Sequence, residues 1–156
     1  MMDTSALKAK YPRLVHDPAF ECKAGWTGLL DDFLAVVDRV LPADRKFRLL
    51  QVKEKLGGLR IHYSAVPKEA SEEIHIAERR AEMRSEHICE TWGRRGRMGN
   101  LDGYWFVACE EHRVDENGRV AVQREGYTRY GMPSVGWQRY DFDLDDLVPC
   151  NPPEGY

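Results

Sequence analysis

The sequence predicts an α+β domain, with a small antiparallel sheet built of hairpins, two principal helices and a degenerate zinc-ribbon-like element. Three observations predict it. Apolar residues recur at helical spacing in two separate stretches, glycine-centred turns divide runs of alternating polarity, and a Cys-x-x-His pair, Cys109 and His112, closes an aromatic segment. With 156 residues and 18.0 kDa the chain is expected to form a single domain over 1–156. That size buries a core without disulfides or a cofactor.

The first helix is read from GWTGLLDDFLAVVDRVLP, where Trp26, Leu29, Leu30, Phe33, Val37 and Val40 fall at three- and four-residue intervals. Asp31, Asp32 and Asp38 lie between them and Pro42 ends the run. RLLQVKEKLGGLRIHYS sets Gly57-Gly58 between two alternating runs, the pattern of a two-residue hairpin turn. Pairing Leu56 with Leu59 puts Val52 opposite Tyr63 and Lys55 opposite Arg60, giving one largely apolar face and one basic face. PKEASEEIHIAERRAEMRSEHI reads as the second helix, with Pro67 in its first turn, acids early, arginines late, and Ala70, Ile74, Ala77 and Ala81 on one stripe. GYWFVACEEH is dense enough in aromatic and apolar residues to be a buried strand. RVDENGRVAV reads as a second hairpin around Asn117-Gly118. The remainder, from GYTRYGMPSV onward, is rich in Tyr, Trp, Gly and Pro and has no clear period.

Composition excludes several classes. Hydrophobic residues at 42% and charged ones at 31% argue against global disorder. No apolar run approaches the ~20 residues that span a bilayer. MMDTSALKAKYPRLV lacks the apolar segment and cleavage site of a secretory signal, so a cytoplasmic protein is expected. In a reducing compartment Cys22, Cys89, Cys109 and Cys150 are expected to be thiols or ligands, not disulfides. The net charge is −3, unevenly spread. From Arg79 to Arg97 six arginines face three glutamates, a local +3, whereas Tyr140 to Tyr156 carries five acids and no Lys or Arg. Two such patches act separately if the fold keeps them apart.

Cys109 and His112 have the spacing of half a tetrahedral zinc site, and the other half should be Cys89 with a cysteine three residues later. That position is Trp92. Losing one thiolate from a closed site forfeits much of its affinity, so no metal and no other cofactor is expected, with Trp92 filling the vacated space as core. His87 could supply a fourth ligand if the helix has ended before it. Other constellations are weaker. His62 beside Lys53, Lys55 and Arg60 reads as the solvated side of a sheet, and Cys22 as a buried, inert thiol. Gly93, Gly96 and Gly99 lack the strand-then-helix context of a phosphate loop.

YPRLV, ECKAGWTGLLDDF, QVKEKLGGLRIHY, AE…S…CETWG and GYWFVACEEH occur in this order over roughly residues 11–112. In this the chain resembles a widespread group of small phage and prophage proteins, whose motifs run ECGxGWxxLLD, QVKEKFGxLRFY, CExCG and LCxxH. The resemblance implies a small zinc-binding element at Cys89, Cys109 and His112, from which this chain departs at Trp92. It also marks residues 113–156 as a C-terminal extension, expected to pack on the core. No activity is implied by it.

No nucleophile is paired with a base and no cofactor fingerprint is present, so the chain is not expected to be an enzyme. The favoured reading is a non-enzymatic inhibitor that covers a basic partner, such as a nucleic-acid-directed toxin, as an immunity protein or a phage counter-defence protein would. Trp137, Tyr140 and Phe142 would anchor it while Asp141, Asp143, Asp145 and Asp146 imitate phosphates. If YDFDLDDL is extended, its aromatics hold the domain and Asp141, Asp143 and Asp145 face outward. The alternative is a small nucleic-acid-binding module of zinc-ribbon descent, using Arg94, Arg95 and Arg97.

Overall fold

The computed structural model describes residues 3–124, 129–132 and 134–156, so 125–128 and 133 of the expected C-terminal extension lie outside the described residues. Its architecture is α+β. The first sheet contains β1 (Ala19–Glu21), β2 (Leu49–Lys55) and β3 (Gly58–Tyr63) in the order β1-β2-β3. β2 and β3 are antiparallel, while β1 joins β2 in parallel. After the short α1 (Ser5–Lys10), two helices make the main layer, α2 (Thr27–Val40) and α3 (Lys68–Ser85). The stripe of Leu29, Leu30, Phe33 and Val37 on α2 is buried, as is that of Ala70, Ile74, Ala77 and Ala81 on α3. The small alanines let α2 come close, and both helices share one core with Val52, Leu59 and Ile61 of the sheet. Pro67 precedes the first turn of α3 instead of occupying it, capping the helix with an extended ψ of 146°.

The first hairpin turns one residue earlier than expected. Lys55 faces Gly58, Lys53 faces Arg60 and Val52 faces Ile61, so the two central turn residues are Leu56 and Gly57. Both have positive φ, 52° and 86°, as the turn type matching the sheet's twist requires. The shift moves each partner by two in register and so leaves the apolar and basic faces unchanged. It buries Val52 against Ile61 and lets the Glu54 carboxylate accept the Gly57 N–H. Gly57→Val should therefore cost about 1–3 kcal/mol, since a β-branched residue at φ 86° is strained and its Cβ would meet Met98 Sδ at 2.3 Å. Gly58→Val should cost less, because only the end of the Arg60 side chain stands in its way. Urea midpoints of the two variants check this, and equal losses would place the turn elsewhere.

The second sheet, in the order β5-β4-β6, contains β4 (Arg97–Leu101), β5 (Tyr104–Ala108) and β6 (Val122–Gln123). β5 is a strand as expected, but an edge one. Val107 and Ala108 are buried while Tyr104 is 58% exposed, because β5 pairs with β4 alone. The Asn117-Gly118 segment turns an abbreviated hairpin, in which Asp115 N–H donates to Arg119 O and Ala121 N–H to Arg113 O. One bridge joins Val114 to Val120, and the Asp115 carboxylate takes the N–H groups of Asn117 and Arg119 that strand partners would otherwise satisfy.

The aperiodic C-terminal sequence makes a third, antiparallel sheet from β7 (Arg129–Met132), β8 (Gly136–Asp141) and β9 (Asp146–Pro149). Met132, Tyr140 and Leu147 of this sheet bury themselves against Met83 and Ile76 of α3. YDFDLDDL is not one extended run. β8 ends at Asp141, which faces Asp146, and the four residues between them turn the chain. Asp141 stops the strand by accepting the N–H groups of Asp143 and Leu144. No helix of the described residues is long and apolar enough to cross a membrane.

Candidate functional site

The segment 87–96 and the end of β5 bring three ligand-type side chains together. Ile88 and Arg95 form a bridge, Cys89 N–H donates to Arg94 O at 2.6 Å and Gly93 N–H to Cys89 O at 2.9 Å, so Cys89 sits in a tight turn. After β5, His112 N–H and Arg113 N–H both donate to Cys109 O, which folds Cys109 and His112 onto the same side. The Cys109 Sγ to His112 Nδ1 distance is 3.2 Å and the Cys89 Sγ to His112 Nδ1 distance is 3.6 Å. All three ligand atoms lie within 4.8 Å of one another, and among the described residues no fourth His, Cys, Asp or Glu joins them. Cys89 is fully buried, held from behind where Gly25 N–H donates to Glu90 O and the Trp26 indole N–H to Ile88 O.

Trp92 does not fill the group as core. It is 47% exposed, set edge-on to the His112 ring at 4.4 Å with the Arg94 guanidinium over its face at 4.7 Å. Gly93, with φ 73°, closes the turn just after it by donating its N–H to Cys89 O. His87 is not a ligand either. Its ring is stacked on Tyr140 at 4.0 Å and its Nε2 bonds the Tyr130 hydroxyl, which in turn donates to Glu86. Burial pushes the His87 pKa down to about 4, so the imidazole stays neutral there. Cys22 is buried and its thiol is pushed up to about 12 by burial, in keeping with an inert side chain.

Cys109 also lines a cleft of about 620 Å³ between the second sheet and the C-terminal turn. Arg95 and Arg97 reach it from the stretch that enters β4 and Arg124 from the residue after β6, and Met98, Ala108 and Phe142 also line it. Glu86 and Glu110 are the acids beside it. Burial raises the pKa of Glu86, and Glu110 pairs with Arg113 at 2.9 Å. Arg97 and Arg124 are exposed and make no salt bridge among the described residues, and Arg124 lies over the Trp105 ring at 4.8 Å.

The expected acidic face is dispersed. Tyr140 is 2% exposed and its hydroxyl donates to Asp145, so it anchors the domain to itself and not to a partner. Asp146 pairs with Arg80, Asp145 lies 4.0 Å from Arg84 and 3.9 Å from Arg95, and Asp141 pairs with Arg139 at 3.3 Å. The basic and acidic stretches thus meet instead of acting separately. Trp137 is half-buried against Tyr156 and Gly131. Of the expected acids only Asp143 is left exposed, between Phe142 at 53% and Leu144 at 67% exposure. Phe142 was expected as an anchor and stands exposed, whereas Arg124 was not singled out for a site in the sequence. The signal for Arg124 was its place after a short apolar run, which gave no hint of the Trp105 contact.

Comparison with family models, with curated proteins and with solved structures finds no match for this chain.

Proposed function

We propose that the chain is a non-enzymatic binding module whose cleft receives a single-stranded nucleic acid. The observation that carries this is the convergence of Arg95, Arg97 and Arg124 on one cleft, where Arg97 and Arg124 make no salt bridge among the described residues and Arg95 is matched only by Asp145 at 3.9 Å. Guanidinium groups hold phosphate, and exposed Trp92 and Tyr104 with the Arg-capped Trp105 offer faces on which unpaired bases stack.

Anisotropy of a labelled single-stranded oligonucleotide tests the proposal. Three phosphate contacts predict that binding weakens about 20-fold between about 50 and about 200 mM salt. Arg97→Glu with Arg124→Glu should weaken it at least about tenfold while leaving the melting temperature in place, since both side chains are exposed. No salt-dependent binding would end this reading.

A second reading, an inhibitor that covers a basic enzyme, is supported by the apolar and acidic tip Phe142-Asp143-Leu144. Its anchors are then the exposed pair that flank Asp143, and not Tyr140. Capture of a basic nucleic-acid-directed enzyme that is lost in Phe142→Ala with Leu144→Ala distinguishes it.

A further inference from the structure

We infer that Cys89, Cys109 and His112 form a three-ligand site for a zinc-class divalent ion whose fourth coordination position takes an exchangeable donor from solution. Distance is the first argument. Zn–S bonds of about 2.3 Å and Zn–N bonds of about 2.0 Å at a tetrahedral angle put sulfur and nitrogen about 3.6 Å apart. The observed separations from His112 Nδ1 are 3.6 and 3.2 Å. Stoichiometry of donors is the second. A single imidazole nitrogen holds one proton or one lone pair and cannot serve two thiols well, whereas one cation between them satisfies all three atoms. Two soft thiolates and an imidazole select zinc, or cobalt as its substitute, over magnesium or calcium.

The chain builds the site at two tight turns and leaves it incomplete. The position after Cys89 that would complete a Cys-x-x-Cys pair is Trp92, which stands half-exposed against the edge of the His112 ring. Among the described residues no other His, Cys, Asp or Glu is within reach. Closed four-ligand sites are structural, and a site with three protein ligands keeps a position for water or another small donor. Cys109 is shared with the arginine-lined cleft, so small anions are drawn toward that side of the molecule. On binding, the ion displaces the protons of the two thiols, which pass to the buffer.

Cobalt titration of the metal-stripped protein tests both parts. Thiolate-to-cobalt absorption should saturate at about one equivalent with release of about two protons, and in Cys109→Ser the charge-transfer intensity should fall by about half. His112→Gln should weaken binding at least about tenfold, a readout that survives if Cys109→Ser does not fold. Adding azide or β-mercaptoethanol should shift the visible cobalt bands of the wild type. Trp92→Cys should bind at least about tenfold more tightly and no longer respond to either addition. A wild-type protein that stays folded and takes up no cobalt overturns the site. Bands insensitive to added ligands overturn the open position.

Discussion

Trp26→Ala is expected to remove about 3–5 kcal/mol of stability, much of what a domain of this size holds. The indole is fully buried and its N–H donates to Ile88 O at 3.0 Å, also in the interior. Truncation therefore opens a large cavity and leaves a buried carbonyl without that donor. Trp26→Phe separates the two effects. It keeps most of the packing and forfeits the hydrogen bond, so a loss of about 1–2 kcal/mol is expected. Urea denaturation with an unchanged slope measures both. A loss below about 1 kcal/mol for the alanine variant would mean that the tryptophan does not hold the 87–96 segment to α2.

The second large effect contrasts one substitution at two glycines three residues apart. In Gly25→Ala the new Cβ would stand 2.2 Å from Cys89 O and 2.5 Å from Glu90 O. These are backbone atoms of a hydrogen-bonded turn and cannot swing aside, so a loss of about 3 kcal/mol is expected. The turn that carries Cys89 must also move. In Gly28→Ala the new Cβ meets nothing within 4 Å, and the residue lies exposed within α2. There the gain in helix propensity should stabilise the fold by about 0.5–1 kcal/mol. Thermal denaturation of the two variants gives shifts of opposite sign. Shifts of the same sign would show that the approach of Gly25 to the 89–90 backbone is not as close as described.

Local periodicity carried the helices and the first hairpin into view. The stripe on α2 and the alanine stripe on α3 are both buried, because a helix that packs on one side must repeat its apolar residues every three to four positions. The hairpin was legible except for its turn, since two adjacent glycines do not say which of them takes positive φ, and tertiary burial of Val52 with Ile61 decided it. β1 was not legible. Three residues carry no period, and their parallel pairing with β2 is a long-range contact. The C-terminal sheet was hidden for a related reason: its inward residues, Met132, Tyr140 and Leu147, are too far apart in sequence to show alternation. At the candidate metal centre, spacing named Cys89, Cys109 and His112 but misplaced Trp92. Sequence spacing does not show how much of an indole the turn can cover, and Trp92 stays half-exposed against the His112 ring. The acids of the C-terminal segment were visible as a charge excess, whereas their partners on α3 lie some sixty residues away along the chain.

Among the described residues the C-terminal sheet meets α3 and the residues after it through a small cluster of Met83, Met132, Tyr140 and Leu147, the stack of His87 on Tyr140, the Tyr130–Glu86 hydrogen bond, and the Arg80–Asp146 and Arg84–Asp145 pairs. With its own small cluster, apart from the main core, the sheet is expected to open as a cooperative unit at a lower free energy than the whole. Its amide protons should exchange with deuterium ahead of those in β2 and β3, and faster still when salt screens the ion pairs. Each opening carries Phe142 away from the cleft edge and bares the ring of His87. If the sheet opens as a unit, a ligand that prefers one form of the arginine-lined surface should shift the population of the open form, which the exchange rates would read.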